Sequence, residues 1–273
     1  MKITIDGKET DITIEQEKTI GDVLSALEDW LRGSGHRISG LRVNGETAGE
    51  SSLDRFFDQE LSTVETLDLE TAPWAEHAVQ SIVSLYGMVG EMEKSAYAER
   101  ESLGAEWAAL PGALFLKSEI PELWDAAEKT FAGEGPAPGE LRGILEERLR
   151  ELENPRQELA GAGSLVEALA QRLKDLPLDI QTGKDRRAAE TMGLFSTLAE
   201  KLIRLFNLLK IEGFFPENKT VEGIPVLTYI GEFDSTLKDL IRAYEDRDTV
   251  LVGDLAEYEL APRLLQFYET IKT

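Results

Sequence analysis

Met1-Lys2-Ile3-Thr4-Ile5-Asp6-Gly7-Lys8-Glu9-Thr10 opens the chain, and its reading decides the fold of the N-terminal region. Ile3 and Ile5 alternate with polar residues, and Asp6-Gly7 is a tight-turn dipeptide. Ile12 and Ile14 alternate again, so the segment reads as a hairpin with one buried face. Thr19 is placed to cap a helix, with Asp22 three residues on. Ile20, Val23, Leu24, Leu27, Trp30 and Leu31 then fall on one helical face, and Gly33-Ser34-Gly35 ends it. Ile38, Leu41 and Val43 precede the turn Asn44-Gly45, and a short helical turn is expected around Leu53–Phe57. Leu67 and Leu69 alternate in a last strand that Pro73 stops. The order is strand, strand, helix, strand, short helix, strand.

That order is the β-grasp arrangement. The segment resembles the small sulfur-carrier proteins of thiamine and molybdopterin synthesis, which have the ubiquitin-like fold. The matching pieces are Met1–Ile5 with Gly7, Thr19-Ile20-Gly21-Asp22-Val23-Leu24, and Val43-Asn44-Gly45-Glu46. The carriers act through a free C-terminal Gly-Gly. Here Leu69-Glu70 runs into Thr71-Ala72-Pro73-Trp74 and the chain continues. The resemblance therefore implies a fold and a binding module, not sulfur carriage.

From Trp74 onward the periodicity is helical. Ala75, Val79, Ile82, Tyr86 and Val89 recur at 4,3,4,3 spacing, and Ala188, Met192, Phe195, Ala199, Leu202, Phe206 and Leu209 do so for three heptads. Val226, Ile230, Phe233, Leu237, Leu240 and Tyr244 repeat the pattern. Such stripes pack helices in bundles. Asn154-Pro155 and Ser164 with Glu167 read as helix starts. The Gly/Pro-rich residues 133–139 read as a loop, and Pro262 predicts a kink near Tyr258. The expected fold is α+β: a β-grasp module over 1–72, then a mostly antiparallel α-helical bundle over 73–273.

Composition bounds the function. The 273 residues carry 29 Lys and Arg against 52 Asp and Glu, a net charge of −23, with 42% apolar residues. Enough apolar material is present for a buried core. The charge disfavours duplex nucleic acid and anionic membranes as partners. Cysteine is absent, which removes disulfides, thiolate nucleophiles and Cys-held metals. The two histidines, His36 and His77, have no second imidazole nearby in sequence. No cofactor or metal is expected. No secretory signal or membrane-spanning run is read, so a cytoplasmic protein is expected.

Three short segments invite chemistry. Gln181-Thr182-Gly183-Lys184-Asp185-Arg186-Arg187 puts Lys184, Arg186 and Arg187 at an expected helix start, with Thr182 as N-cap. An anion or an acidic partner would suit it. It lacks the first Gly and the Ser or Thr of a phosphate-binding loop. Asp246-x-Asp248 with Glu257 has the outer spacing of a calcium loop but puts Val250 and Leu251 where an oxygen ligand and Gly belong, so a capped turn is expected. Among the aromatics, Trp107, Phe115, Trp124 and Phe131 fall in less regular stretches. Phe214-Phe215-Pro216 lies between two strong helices, and Phe214 and Phe215 are the candidate interface residues, including for a homodimer. Helix 182–210 is expected to be central in its bundle, with Phe206 in the core. The function read from these features is a non-catalytic protein-binding adaptor or scaffold. An acidic helical chaperone for a secretion or flagellar partner is the alternative, and an enzyme using carboxylates alone is a distant third.

Overall fold

The computed structural model describes residues 1–10, 17–48, 53–95, 100–216 and 218–272. It is α+β: a mixed five-stranded sheet comes first, and helices follow. β1 (Lys2–Ile5) and β2 (Lys8–Glu9) form a hairpin, α1 spans Ile20–Gly33, β3 spans His36–Val43, β4 is Glu46–Thr47, α2 is Leu53–Phe57, and β5 is Thr66–Pro73. The strand order is β2-β1-β5-β3-β4, with β1 and β5 parallel and the remaining pairs antiparallel. The expected pairing of Ile12 and Ile14 lies outside the described residues.

Local chemistry explains the turns. Asp6 and Gly7 have φ of 51° and 73°, and Asn44 and Gly45 have 52° and 81°. These left-handed pairs suit tight hairpins between right-twisted strands. Both side chains also bind the neighbouring strand. The Asp6 carboxylate accepts from the Thr71 N–H at 2.8 Å and the Thr71 hydroxyl at 2.7 Å. These bonds hold the Asp6 carboxyl below its usual range. Asn44 Oδ1 accepts from the N–H groups of Glu65 and Thr66.

α1 begins with the expected capping box, in which Asp22 N–H donates to Thr19 Oγ1 at 3.2 Å and Thr19 N–H donates to Asp22 Oδ2 at 3.0 Å. Of its buried face, Ile20, Val23, Leu24 and Leu27 pack on Ile3, Leu41, Val43, Leu67 and Leu69 of the sheet, and Leu31 is buried at its C-terminal end. Trp30 departs from expectation. It lies at the edge of the stripe, about 100° round the helix from Leu31, and is 65% exposed.

The chain divides by packing into two units, Met1–Leu149 and Arg150–Thr273. The first unit therefore includes, with the sheet, α3 (Trp74–Met92), α4 (Arg100–Ala108), α5 (Pro111–Glu119), α6 (Pro121–Ala132) and α7 (Pro138–Glu153) as far as Leu149. In α3 the buried face is Ala78, Ser81, Ile82, Leu85, Val89 and Met92. It is rotated from the expected stripe, since Ala75, Val79 and Tyr86 are half-buried. Trp107 stacks between Trp124 and Phe131, with ring centroids 4.7 Å and 5.5 Å apart. These rings are core rather than surface. The loop after α6 is shorter than expected, because Pro138 already begins α7.

The second unit holds α8 (Pro155–Gly161), α9 (Gly163–Gln181), α10 (Asp185–Ile211), a hairpin of β6 (Thr220–Val221) and β7 (Ile224–Pro225), α11 (Val226–Glu245), α12 (Thr249–Asp254) and α13 (Ala261–Ile271). The hairpin was not expected from the pattern. Asn154 stands at the N-cap of α8 without a side-chain cap bond, and Ser164 sits inside the first turn of α9, so no capping box forms there. A π-helical turn, Leu255–Leu260, joins α12 to α13 where the kink was expected. Pro262 has no N–H to return to the preceding turn, and a wider turn accommodates its ring. α10 buries Ala188, Phe195, Leu198, Leu202, Leu205, Phe206 and Leu209. Phe206 and Phe233 face Phe267, with centroids 6.3 Å and 5.9 Å away. Across this core, Arg204 pairs with the 1%-exposed side chain of Glu151 through two bonds of 3.0 and 2.9 Å.

Candidate functional site

The cationic turn between α9 and α10 is built differently from the sequence reading. Thr182 caps the end of α9 and not the start of α10. Its hydroxyl donates to the Leu178 carbonyl at 2.7 Å. Gly183, with φ of 72°, ends α9: its N–H donates to the Ile180 carbonyl, and the Lys184 N–H donates to the Asp179 carbonyl. Asp179, with a side chain only 3% exposed, lies 3.5 Å from Lys184 Nζ and 3.0 Å from Arg187 Nε. Arg186 pairs with Glu190 at 3.0 Å. All three cations thus have a carboxylate of their own chain. A pocket of about 570 Å³ beside this turn is lined by Gly183, Asp185, Tyr244, Glu245 and Arg247 among others. Its charges are mixed rather than cationic.

Phe214 and Phe215 do not form an exposed patch. Phe215 is 6% exposed and stacks on Phe206 at 5.3 Å, so its reading as an interface residue is corrected to core. Phe214 is half-buried beneath Arg156, whose guanidinium carbon stands 4.2 Å from the ring. Phe214 also closes the end of α10, where its N–H donates to the Leu209 carbonyl at 2.9 Å. Asp248 caps α12 by accepting from Leu251 N–H at 3.0 Å, as expected for a capped turn. Among the described residues, no group of three or more His, Asp or Glu is arranged to hold a metal ion.

His36 Nδ1 lies 2.9 Å from the Ser34 carbonyl, and the His77 ring stacks on Phe115 at 5.7 Å. Near them is the polar junction of the first unit. Glu119 of α5 accepts from Arg37 at 2.7 Å, from the Trp74 indole N–H at 3.0 Å and from Arg32 at 3.2 Å. Burial alone pushes the Glu119 carboxyl up, but its bonds to Arg37 and Trp74 and the charges of Arg37 and Arg32 bring it below the usual range. This cluster fastens the sheet to the helices.

A groove opens beside α1. Leu24 of α1, Ile38 and Leu41 of β3, Ala48 and Phe57 supply its apolar lining, and its volume is about 330 Å³. Ser25, Glu28 and Ser39 line its polar part. The β3–β5 register shifts between Ile38 and Gly40, which leaves Ser39 as a bulge residue. Bulges re-aim side chains beside functional surfaces and blunt sheet edges. The sequence pattern missed this groove, because residues far apart in the chain form its walls.

Residues 1–73 match the TP0873 N-terminal domain family, and residues 158–270 match a domain of unknown function, DUF8042. The chain is similar along nearly its whole length to an uncharacterized protein of Treponema pallidum (strain Nichols). That protein is 25% identical over 262 residues, which span 96% of this chain and 92% of the relative. No solved structure gives a significant match.

Proposed function

We propose that the protein is a non-catalytic cytoplasmic adaptor, and that its N-terminal module docks a protein partner in the groove between α1 and β3. The observation that carries this reading is the groove itself, a concave apolar surface with a few polar groups at its margin. The module is read as a β-grasp fold, and the strand order β2-β1-β5-β3-β4 with α1 packed on one face supports that reading. Sulfur carriage is not part of the proposal. Where a carrier would end freely, Pro73 passes into α3, and the Trp74 N–H donates to the Gly35 carbonyl at 2.8 Å. No helix among the described residues is long and apolar enough to cross a membrane.

Affinity capture from the native host tests the reading. Full-length wild type is compared with Ser25→Trp, which plugs the groove from an exposed position on α1. One or a few proteins retained by wild type and lost from the variant are expected. An identical captured set for both would overturn the groove as the docking site.

A further inference from the structure

We infer that the occupant of this groove is a peptide segment carrying an apolar anchor side chain flanked by Lys or Arg; this rests on the docking reading above and adds the partner's chemistry. The apolar half of the inference follows from the lining: Leu24, Ile38, Leu41 and Phe57 offer a cavity of about 330 Å³. That volume lies at the small end for binding pockets and suits one or two side chains. The cationic half follows from charge. Residues 1–73 contain seven Lys and Arg against sixteen Asp and Glu. The four arginines of this segment are all committed: Arg32 and Arg37 to Glu119, Arg42 to Glu70, and Arg55 to Glu46. Glu28, on the groove wall, makes no ion pair among the described residues. The margin therefore presents a carboxylate with no cation assigned to it, in a field of the same sign. A cationic flank on the partner complements it and speeds encounter. The groove is lined by side chains of α1, β3 and Phe57, so anchoring is assigned to side-chain insertion.

The test uses the full chain and two synthetic peptides of equal length with the same central Leu, one flanked by Lys and the other by Glu. Fluorescence anisotropy at low salt is expected to show the Lys peptide binding more tightly by about fivefold, the scale of one exposed ion pair. Glu28→Lys should abolish that preference, and Ser25→Trp should abolish binding of both peptides. Circular dichroism on each variant reports its folding. Hydrogen exchange on the wild type, which needs no variant, should show α1 and β3 protected by the Lys peptide. Equal binding of the two peptides, no binding of either, or protection confined to other elements would overturn the inference. If the peptides fail while host capture still depends on Ser25, the docking reading stands and the chemistry assigned here falls. If the peptides behave as expected while host capture ignores Ser25→Trp, the chemistry stands and the adaptor role falls.

Discussion

Phe215 and Glu119 show how single residues carry the two units. Phe215 stacks on Phe206 and meets Phe214 edge-on at 5.0 Å. Phe215→Asp would place a charge in that core, so it should destabilise the second unit by about 3–5 kcal/mol in urea denaturation. A variant as stable as wild type would return Phe215 to the surface. Glu119 gives a pH signature. Its carboxyl titrates lower in the folded state than in the unfolded chain. Its contribution is complete above the ordinary glutamate range and fades as pH falls through the folded value. Glu119→Gln should therefore lower stability most near neutrality, and its difference from wild type should shrink in acid. A difference that stays constant with pH would show that Glu119 contributes packing alone. Neither role is visible in sequence. Phe-Phe-Pro between helices reads equally well as surface or core, and the partners of Glu119 lie 45 to 87 residues away.

At the scale of elements, what the sequence reveals is what short-range chemistry decides. Asp6-Gly7, Asn44-Gly45 and Thr19 with Asp22 each form the turn or cap that their residue types predict, because the backbone turn or cap itself closes within a few residues. Thr182-Gly183 reads as a helix start but ends α9, because Thr and Gly serve at either end of a helix and only the α9 hydrogen bonds decide between them. The stripe of α3 was rotated because Ala, Val and Tyr are tolerated at its margin as well as inside. A second helix end makes the cap logic testable. α11 closes as α9 does, with the Arg247 N–H donating to the Tyr244 carbonyl and the Asp248 N–H to the Ala243 carbonyl. Arg247 occupies the glycine-favouring position with φ of 58°. Arg247→Gly should raise stability by up to about 1 kcal/mol through relief of that conformation. A loss of stability in thermal melts would mean that the Arg247 side chain contributes more than its backbone costs.

Over the whole molecule, the division at Leu149/Arg150 governs which pieces stand alone. A fragment of residues 1–73 keeps Arg32 and Arg37 but loses Glu119, and it leaves the Gly35 carbonyl without the Trp74 N–H. A fragment of residues 1–149 keeps both. The longer piece should melt cooperatively and at clearly higher temperature than the shorter one, as followed by circular dichroism. Equal melting temperatures would show that the sheet draws nothing from α3 and α5. The α+β order was readable from strand alternation followed by heptads. The packing of five helices' worth of chain with the sheet was not, since apolar spacing says which face is buried but not what covers it.

The π-helical turn at Leu255–Leu260 also has a meaning for how the chain tolerates insertion and deletion. A wide turn is an α-helix that has absorbed one surplus residue while the flanking segments keep their phase. Removing Tyr258, which is exposed, should leave the faces of α12 and α13 in register, whereas removing a residue one turn further into α13 would rotate one segment by about 100° against its neighbours. The shortened helix would place Pro262 in a regular interior, where its ring collides with the preceding turn. Deletion of Tyr258 should therefore be poorly tolerated alone and recovered by Pro262→Ala in thermal melts. Failure of the second change to restore stability would show that the surplus residue is held by its neighbours and not by the proline.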